Sequence, residues 1–309
     1  MNVSDFRNVS VLVTGASGFI GARVIRRLAG KCKRLVAFAR GTATVVHPDL
    51  GGVDLVLGDI STRSHVEAAL GDADVVIHLA GHSGAQSSAQ DPLFDLHANV
   101  GGMIALLEAV RRRSAPCRII FPGSRLEYGA VRHVPVSESA PIRPLSPYGV
   151  NKHACELYLD LYARLYGISY GVARFSNPYG PWVAPPAREY NVLNKLIAIA
   201  KTGGDLTVYG DGKQIRDYLY VDDAVDALLV LASHSENVIA NVGSGQGISF
   251  RDAAETIARV VGKGRVVSVP WPSGAALLET GDFVADISAI QALGWAPSTP
   301  FEDGIRLTV

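Results

Sequence analysis

The chain has 309 residues, which is enough to bury one large core and to carry a smaller attached unit. Hydrophobic residues make up 48% of it and charged residues 19%, a composition that excludes a disordered chain. The 29 basic and 29 acidic residues cancel, so no net field favours nucleic acid or an anionic membrane as a partner.

Short β-branched runs alternate with helical stretches over the first two-thirds of the chain, which is the pattern of a parallel sheet covered by helices on both faces. The predicted strands are Val9–Thr14, Leu35–Phe38, Asp54–Leu57, Val75–Leu79 and Ile119–Phe121. The predicted helices between them are Gly21–Ala29, His65–Leu70, Asn99–Arg113 and Tyr148–Tyr166. The strands are continuous apolar runs, as strands buried on both faces are. The predicted fold class is therefore α/β, with a doubly wound parallel Rossmann sheet.

The pattern changes after the run Gly171–Phe175, where several prolines interrupt the chain. Helices are predicted at Val192–Lys201 and Val221–Leu231, and a small irregular lobe from Val266 to Val309. Such interruption is typical of a substrate lobe over the carboxyl ends of the strands. We therefore expect a dinucleotide-binding domain of residues 1–176 plus 216–250, and a discontinuous substrate-binding lobe of residues 177–215 plus 251–309.

A glycine-rich turn joins the first predicted strand to the first predicted helix. Gly15 permits the tight turn, Gly18 lets the backbone approach a pyrophosphate, and Gly21 lets the helix pack on the sheet. The start of the helix attracts the phosphates through its N–H groups and its dipole. The predicted cofactor-binding residues of this turn are Gly15, Ser17, Gly18, Phe19, Ile20 and Gly21.

The second predicted strand is followed by Arg40 instead of the carboxylate that normally binds the adenosine ribose hydroxyls. Either Arg40 pairs with a 2′-phosphate, which slightly favours NADP, or it is an exposed loop residue and NAD binds. Asp59 follows the next strand and is either a neighbour of the adenine amine or a simple loop carboxylate. The other expected cofactor contacts are Ile60, Leu79, Ala80, Gly81, Asn99, Tyr148 and Lys152.

Tyr148 and Lys152 stand at positions i and i+4 of a predicted helix, so their side chains share a face. A tyrosine has an ordinary pKa of about 10 and is a poor base at neutral pH, but a cation within hydrogen-bonding range lowers that pKa by about 1 to 3. Ser124 would hydrogen-bond the same substrate oxygen and orient it. An incidental Tyr-x-x-x-Lys pair is common, but the glycine turn upstream favours Ser124, Tyr148 and Lys152 as a hydride-transfer set.

The sequence resembles the extended short-chain dehydrogenase/reductase family, particularly its sugar-nucleotide epimerases, dehydratases and ketoreductases. Besides the glycine turn and Ser146–Lys152, the likeness is carried by Val76–Ala80, Asn99–Gly102 at a predicted helix start, Phe121–Gly129, Arg174–Pro181, Tyr209–Asp223 and Leu293–Trp295. The resemblance implies that Ser124, Tyr148 and Lys152 are catalytic, that Asn177 binds substrate, and that Arg216 binds the diphosphate. It also implies an NAD or NADP cofactor and a nucleotide-sugar substrate.

Two departures from the family pattern bear on the reaction. The dehydratases carry an acid pair directly after the catalytic Ser or Thr, whereas Arg125 and Leu126 follow Ser124 here, which disfavours a 4,6-dehydratase. Glu279 stands where many relatives have a second phosphate-binding arginine. Because a carboxylate repels a diphosphate, either another cation compensates (Arg188, Lys195 or Arg216), or the donor group differs, or Glu279 merely faces solvent.

The leading hypothesis is an NAD(P)-dependent epimerase that acts at C4 of a nucleotide-linked sugar through a transient 4-keto intermediate. The alternative is an NADPH-dependent 4-ketoreductase of a 4-keto-6-deoxy sugar nucleotide, which Arg40 favours. A non-catalytic dinucleotide sensor ranks last, because a sensor has no need of the complete Ser124, Tyr148 and Lys152 set. The sugar and base would be read by loops near Pro185–Leu196 and Val266–Phe283, where Asn191 and Leu193 are possible base contacts.

Partners and location follow from smaller signals. The resemblance implies a homodimer through a four-helix bundle, and the two long helices carry apolar residues on more than one face: Met103, Leu106, Leu107, Leu157, Leu161 and Leu165. The sequence predicts small buried apolar roles for the three cysteines, Cys32, Cys117 and Cys155. No metal site is predicted. A polar N-terminus and the absence of an apolar run long enough for a bilayer predict a cytoplasmic protein without a membrane partner.

Overall fold

Seven parallel strands form the central sheet in a computed structural model that describes residues 6–41, 51–113, 115–182, 191–272 and 279–309. Their order across the sheet is Val238–Val242 (β10), Ser169–Phe175 (β6), Arg118–Ser124 (β5), Val75–His78 (β4), Ser10–Thr14 (β1), Arg34–Ala39 (β2) and Val53–Leu57 (β3). The strand order reverses between β1 and β4, and ligands of such sheets bind at the carboxyl ends beside that point. The predicted α/β Rossmann class is confirmed.

Helices cover both faces of the sheet. They are Gly21–Leu28 (α1), Arg63–Leu70 (α2), Ala85–Gln90 (α3), Pro92–Leu96 (α4), Gly102–Arg111 (α5), Pro147–Tyr166 (α6), Val192–Lys201 (α7), Val221–Ser233 (α8), Phe250–Val261 (α9), Ser288–Ala292 (α10) and Phe301–Thr308 (α11). Successive side chains of β1 point to opposite faces, so Val11 and Val13 pack in the core with α1 and α8, and Leu12 packs in the core with α2, α5 and α6.

The prediction that a helix starts at Asn99 was wrong, because the helix begins at Pro92. The Asp91 carboxylate accepts the backbone N–H of Phe94 at 3.0 Å and caps this helix, and proline is well suited to the first helical position. A five-residue π-helical segment, His97–Gly101, then links α4 to α5. Asn99 therefore lies in the middle of the continuous helix Pro92–Arg111, where its side chain is buried.

This helix also corrects the expectation that no apolar run could span a bilayer. Pro92–Arg111 has 20 residues and a mean hydropathy of 1.3, so it is long and apolar enough on length and composition alone. Half of that window is buried inside the fold, and a helix that packs into a protein core meets the same criterion. The cytoplasmic location stays a prediction.

Two smaller sheets lie outside the central one. Asn177–Tyr179 (β7), Ile215–Tyr220 (β9) and Gly247–Ser249 (β11) form a three-stranded sheet, and Asp205–Tyr209 (β8) pairs with Arg265–Val269 (β12). The C-terminal region, predicted to be irregular, thus contributes a strand and two short helices. It is tied back to α8, because the indole of Trp295 donates to the carbonyl of Asp223 at 3.1 Å. The proposed division of the chain into two units stays a prediction.

The three cysteines are free thiols. Cys117 and Cys155 are buried, as predicted, and burial raises the pKa of each thiol to about 12. Cys32 is only half-buried.

Candidate active site

The glycine turn forms a cradle that side chains would fill. Gly15 has a φ of 65°, and a Cβ added there would lie 2.6 Å from the backbone nitrogen of Ala80. A Cβ on Gly21 would sit inside van der Waals contact of the Gly15 carbonyl oxygen. A Cβ on Gly18 would meet the same oxygen at 3.1 Å. The turn therefore holds α1 against β1 with exposed backbone, which is what a dinucleotide pyrophosphate needs.

A cavity of about 360 Å³ opens beside this turn at the carboxyl ends of β1, β2 and β4. Nine of the predicted cofactor-binding residues line it: Gly15, Ser17, Gly18, Arg40, Asp59, Ile60, Leu79, Ala80 and Gly81. Phe38 supplies an apolar wall, and hydrogen bonds from Ser61 lower the pKa of the Asp59 carboxyl. The shape and the lining fit the adenosine half of NAD(P).

Asn99 does not line this cavity but supports its wall from behind. Its amide donates to the carbonyls of His82 and Asp95 at 3.1 Å each, and its side-chain oxygen accepts the His82 N–H at 3.3 Å. A Cβ on Gly81 would collide with that oxygen. Asn99 thus fixes the backbone of Gly81 and His82, and its direct contact with a cofactor stays a prediction.

A second cavity, of about 250 Å³, continues from the first over the other side of the turn. Gly15, Gly18, Leu79, Gly81 and His82 line both cavities. The second also contains Phe19, Ile20, Gly21, Ser124, Tyr148 and Lys152. The three predicted catalytic residues therefore face the cavity that would hold the nicotinamide half of NAD(P).

Ser124 ends β5 and begins a short 3-10 helix. Its hydroxyl accepts the N–H of Leu126 at 3.2 Å, and its own N–H donates to the Glu127 carboxyl at 2.6 Å. This reciprocal capping box fixes the backbone at the point where the serine enters the cavity. Ser124 is 8% exposed, so its hydroxyl borders the cavity without being loosely solvated.

Tyr148 and Lys152 lie on the first turns of α6, as predicted. Ser146 caps the helix through the N–H of Gly149 at 3.2 Å, and the backbone N–H of Tyr148 donates to the Ser88 hydroxyl at 3.1 Å. The Lys152 ammonium lies 5.6 Å from the centre of the Tyr148 ring and donates to the Pro122 carbonyl at 2.9 Å. The Lys152 side chain is therefore fixed by α6 at its backbone and by the Pro122 carbonyl at its ammonium, and the ammonium lies beside the Tyr148 ring.

The surroundings of Lys152 act on its charge in opposite directions, because burial disfavours the ammonium and the nearby Asp95 and Glu156 favour it. Burial lowers the pKa of Lys152 from its ordinary value. His78 below it is buried and bonds the Thr14 hydroxyl at 2.9 Å, and burial lowers the pKa of this imidazole to about 3. A neutral His78 adds no competing positive charge under the site.

A buried acidic cluster lies behind Ser124. Arg174 donates to both oxygens of Glu156, at 2.9 and 2.6 Å, and this ion pair outweighs burial and lowers the pKa of Glu156. Burial and the neighbouring Glu156 raise the pKa of Glu127 well above its ordinary value. This shift favours the neutral acid beside the Glu156 carboxylate, and Glu127 anchors the backbone of Ser124 by accepting its N–H.

Glu127, Glu156 and the nearby His153 bring ligand-type atoms within 4.8 Å of one another. Arg174 already neutralises Glu156, so we assign this group to anchoring rather than to a metal. The expectation of no metal site stays a prediction.

A third cavity, of about 190 Å³, adjoins the catalytic residues on the side away from the glycine turn. Ser83, Ser124, Tyr148, Ser176 and Pro178 line both it and the nicotinamide-side cavity. Its other described lining residues are Gly84, Arg125, Leu126, Asn177, Tyr179, Asn191, Val192, Leu193 and Tyr218. Asn177, Asn191 and Leu193 thus lie where the sequence suggested a substrate would bind.

Arg216 is expected to bind the diphosphate, and that role stays a prediction. It is not among the described residues lining this pocket, and its guanidinium donates to the carbonyls of Ile215 and Gly281 and pairs with Glu279. Glu279 therefore contacts a cation rather than merely facing solvent. Of the other candidate cations, Lys195 is exposed on α7, and Arg188 lies outside the described residues.

Arg125 lines the substrate pocket, although the sequence analysis assigned it no binding role. It stands where the dehydratases carry the first residue of their acid pair, and its side chain donates hydrogen bonds to Asn177 and Thr280. Its position directly after Ser124 at the end of a strand was the signal available.

The comparisons with known proteins agree with this geometry. A model of the NAD dependent epimerase/dehydratase family matches residues 11–243. The UDP-glucose 4-epimerase of Mycolicibacterium smegmatis is 31% identical over 306 residues, covering 96% of each chain. A dTDP-glucose 4,6-dehydratase of Xanthomonas campestris is 30% identical over 326 residues, covering 96% of this chain and 91% of that one. The crystal structure of Thermus thermophilus UDP-glucose 4-epimerase with NAD has a TM-score of 0.86 at 31% identity, covering 97% of each chain.

Proposed function

The chain belongs to the NAD dependent epimerase/dehydratase family, and from this premise we propose that it inverts C4 of a nucleotide-linked sugar through a transient 4-keto intermediate. One observation carries the proposal: Ser124, Tyr148 and Lys152 lie where the nicotinamide-side cavity meets the substrate pocket. Arg125 and Leu126 follow Ser124 in place of a dehydratase acid pair, which favours an epimerase over a 4,6-dehydratase.

Tyr148 is the proton acceptor and donor in this proposal. The Lys152 ammonium beside the ring favours the phenolate, so Tyr148 takes the proton of the C4 hydroxyl at neutral pH. Ser124, fixed by its capping box, donates a hydrogen bond to the same oxygen. NAD(P), held by Gly15, Gly18 and the residues of the adenosine cavity, would supply the hydride acceptor and donor for C4. Tyr148 then returns the proton to the C4 oxygen as the opposite epimer forms, so the side chains end the cycle unchanged.

The rival reaction is NADPH-dependent reduction of a 4-keto-6-deoxy sugar nucleotide, which uses the same three side chains. The observation that favours it is Arg40 in the wall of the adenosine cavity. Two assays of purified protein separate the reactions: one with UDP-glucose and no added cofactor, and one with a 4-keto-6-deoxy sugar nucleotide and added NADPH. An epimerase yields UDP-galactose with catalytic cofactor, whereas a reductase consumes one NADPH for each keto sugar reduced. If no UDP-galactose forms and no NADPH is consumed, both proposals are wrong.

We expect the Arg40→Ala variant to bind NADPH roughly tenfold more weakly and to keep its affinity for NADH within about twofold. A guanidinium forms charge-assisted hydrogen bonds with a 2′-phosphate, which NADH lacks. Fluorescence titration with each cofactor measures the effect. Arg63→Ala is the matched control, because Arg63 is paired with Glu67 on the neighbouring α2 and does not line the cavity. Equal losses for both cofactors would argue against a 2′-phosphate contact.

We also propose a homodimer formed through α4, α5 and α6. Part of the apolar pattern that suggested a dimer is not available to a partner, because the core of the chain itself buries Met103, Leu106 and Leu107. The apolar row of α6 gives the better support, because Val150, Leu157, Leu161 and Leu165 recur on one helical face and are 51%, 57%, 37% and 60% exposed.

The double variant Leu157→Glu with Leu161→Glu should therefore be a monomer, since two carboxylates cannot be buried unpaired in an apolar interface. Light scattering should give twice 32.7 kDa for the unchanged protein and a single 32.7 kDa chain for the variant. Leu307→Glu, at a 61% exposed position on α11, is the matched control and should remain a dimer. A monomeric unchanged protein would overturn this proposal.

A further inference from the structure

Arg125 places a guanidinium in the wall of the substrate pocket beside Ser124. We propose that it is a substrate-binding cation that pairs with an anionic group of the nucleotide sugar. The inference rests on the proposed function, from which it takes the nucleotide-sugar ligand. It goes further by naming Arg125 as the residue that selects an anionic ligand.

The Arg125 side chain is held in a single direction by groups from distant parts of the chain. Its Nε donates to the side-chain oxygen of Asn177 at 3.0 Å, and its Nη1 donates to the Thr280 hydroxyl at 2.8 Å. Its guanidinium also lies over the Phe283 ring, 5.7 Å from the ring centre. A guanidinium fixed in this way loses little conformational freedom when it binds a ligand.

No carboxylate of the described residues forms an ion pair with Arg125, although Glu279 and Asp217 attract its charge from further away. Its hydrogen-bond partners are an amide and a hydroxyl, and within the described part of the chain no carboxylate lies within the 4.0 Å of an ion pair. Burial, with a contribution from Arg216, lowers the pKa of Arg125 to about 10, so the group stays charged at neutral pH. Keeping a half-buried cation without an ion pair costs free energy, and an anionic ligand would offset that cost.

The neighbouring cation cannot take over this role in the observed arrangement. Arg216 is paired with Glu279 through Nη2, and its Nη1 donates to the carbonyls of Ile215 and Gly281. Among the described residues that line the substrate pocket, Arg125 is the only one with a positive charge. An anion that enters this pocket therefore meets one available guanidinium.

A nucleotide sugar offers two anionic groups of suitable chemistry. The diphosphate is present in every such ligand, and a carboxylate is present only when the sugar is a uronic acid. Both present paired oxygens that a guanidinium can bind with two parallel hydrogen bonds. The ligand class is therefore an oxyanion, and its source is decided by comparing ligands that carry one or both groups.

The test measures Kd by isothermal titration calorimetry on NAD-saturated protein with UDP, UDP-glucose and UDP-glucuronate. The informative variant is Arg125→Gln, which keeps hydrogen-bonding groups but removes the charge. Thr280→Val removes one bond that holds Arg125 in place and retains the charge. Arg132→Gln removes an exposed arginine outside the three cavities and serves as the matched control.

We expect Arg125→Gln to weaken binding by about 10- to 100-fold, the usual cost of losing a hydrogen bond to a charged group. Thr280→Val should lose less than about threefold, and Arg132→Gln should match the unchanged protein. The difference between unchanged protein and Arg125→Gln should shrink as the salt concentration rises, because the interaction is electrostatic. Similar losses for all three ligands identify the diphosphate as the partner. A loss confined to UDP-glucuronate identifies the carboxylate.

Two results would overturn the assignment of Arg125. If Arg125→Gln binds all three ligands as well as the unchanged protein, or if Thr280→Val loses as much affinity as Arg125→Gln, the side chain only braces the pocket. If the unchanged protein binds none of the three ligands, the proposed substrate class falls, and the inference falls with it. The calorimetric readout needs no turnover, so these failures can be told apart.

Discussion

Replacing Tyr148 with Phe should lower kcat by roughly 100- to 10,000-fold, the range that general acid–base groups supply. The variant keeps the ring and the shape of the cavity, so its dinucleotide affinity should stay within about twofold of the unchanged protein. Steady-state kinetics with the nucleotide sugar give the first quantity, and fluorescence titration with NAD(H) or NADP(H) gives the second.

Tyr162→Phe is the matched control for this experiment. Tyr162 lies on the same helix, but its hydroxyl donates to Glu108 at 2.8 Å and does not line the cavities. Removing that hydroxyl should leave kcat unchanged. If Tyr148→Phe turned over at the rate of the control, the phenol would not be the proton-transfer group and the proposed mechanism would fail.

Replacing Gly21 with Ala should weaken dinucleotide binding by at least about tenfold and lower the free energy of unfolding by about 1 to 3 kcal/mol. The added methyl group would overlap the carbonyl oxygen of Gly15, so α1 must move away from the turn or the turn must open. Either movement displaces the backbone that receives the pyrophosphate.

Thermal unfolding and fluorescence titration measure the two effects of Gly21→Ala. The control is Gly51→Ala, because Gly51 is exposed and a Cβ there would meet nothing within 4 Å. Unimpaired cofactor affinity in Gly21→Ala would mean that the turn is not the dinucleotide cradle.

The elements of the central sheet were predictable because local patterns determine them. Continuous apolar runs marked β1 to β5 to within a few residues, and the helix Val192–Lys201 has the predicted bounds. The early start of the helix at Pro92 was also predictable, since Asp91 and Pro92 form a recognisable start signal. The same holds for α9, which Ser249 caps and Gly262 ends in a left-handed conformation, although it was not predicted.

The candidate site divides in the same way. Tyr148 and Lys152 lie four residues apart on one helix, so their spacing was sufficient to place them together. The capping box between Ser124 and Glu127 is equally local. The role of Arg125 was not predictable, because its partners Asn177 and Thr280 stand 52 and 155 positions away and only the folded chain brings them together.

The brace between Arg125, Asn177 and Thr280 has a consequence for how this chain can diversify. The proposed proton-transfer residues and the glycine turn come from the first half of the sequence, whereas Thr280 and Phe283, which contact the Arg125 guanidinium, come from its last tenth. Substitutions in that C-terminal stretch can redirect the guanidinium while leaving the hydride-transfer machinery untouched. Evolution can thus exchange one sugar nucleotide for another without rebuilding the chemistry.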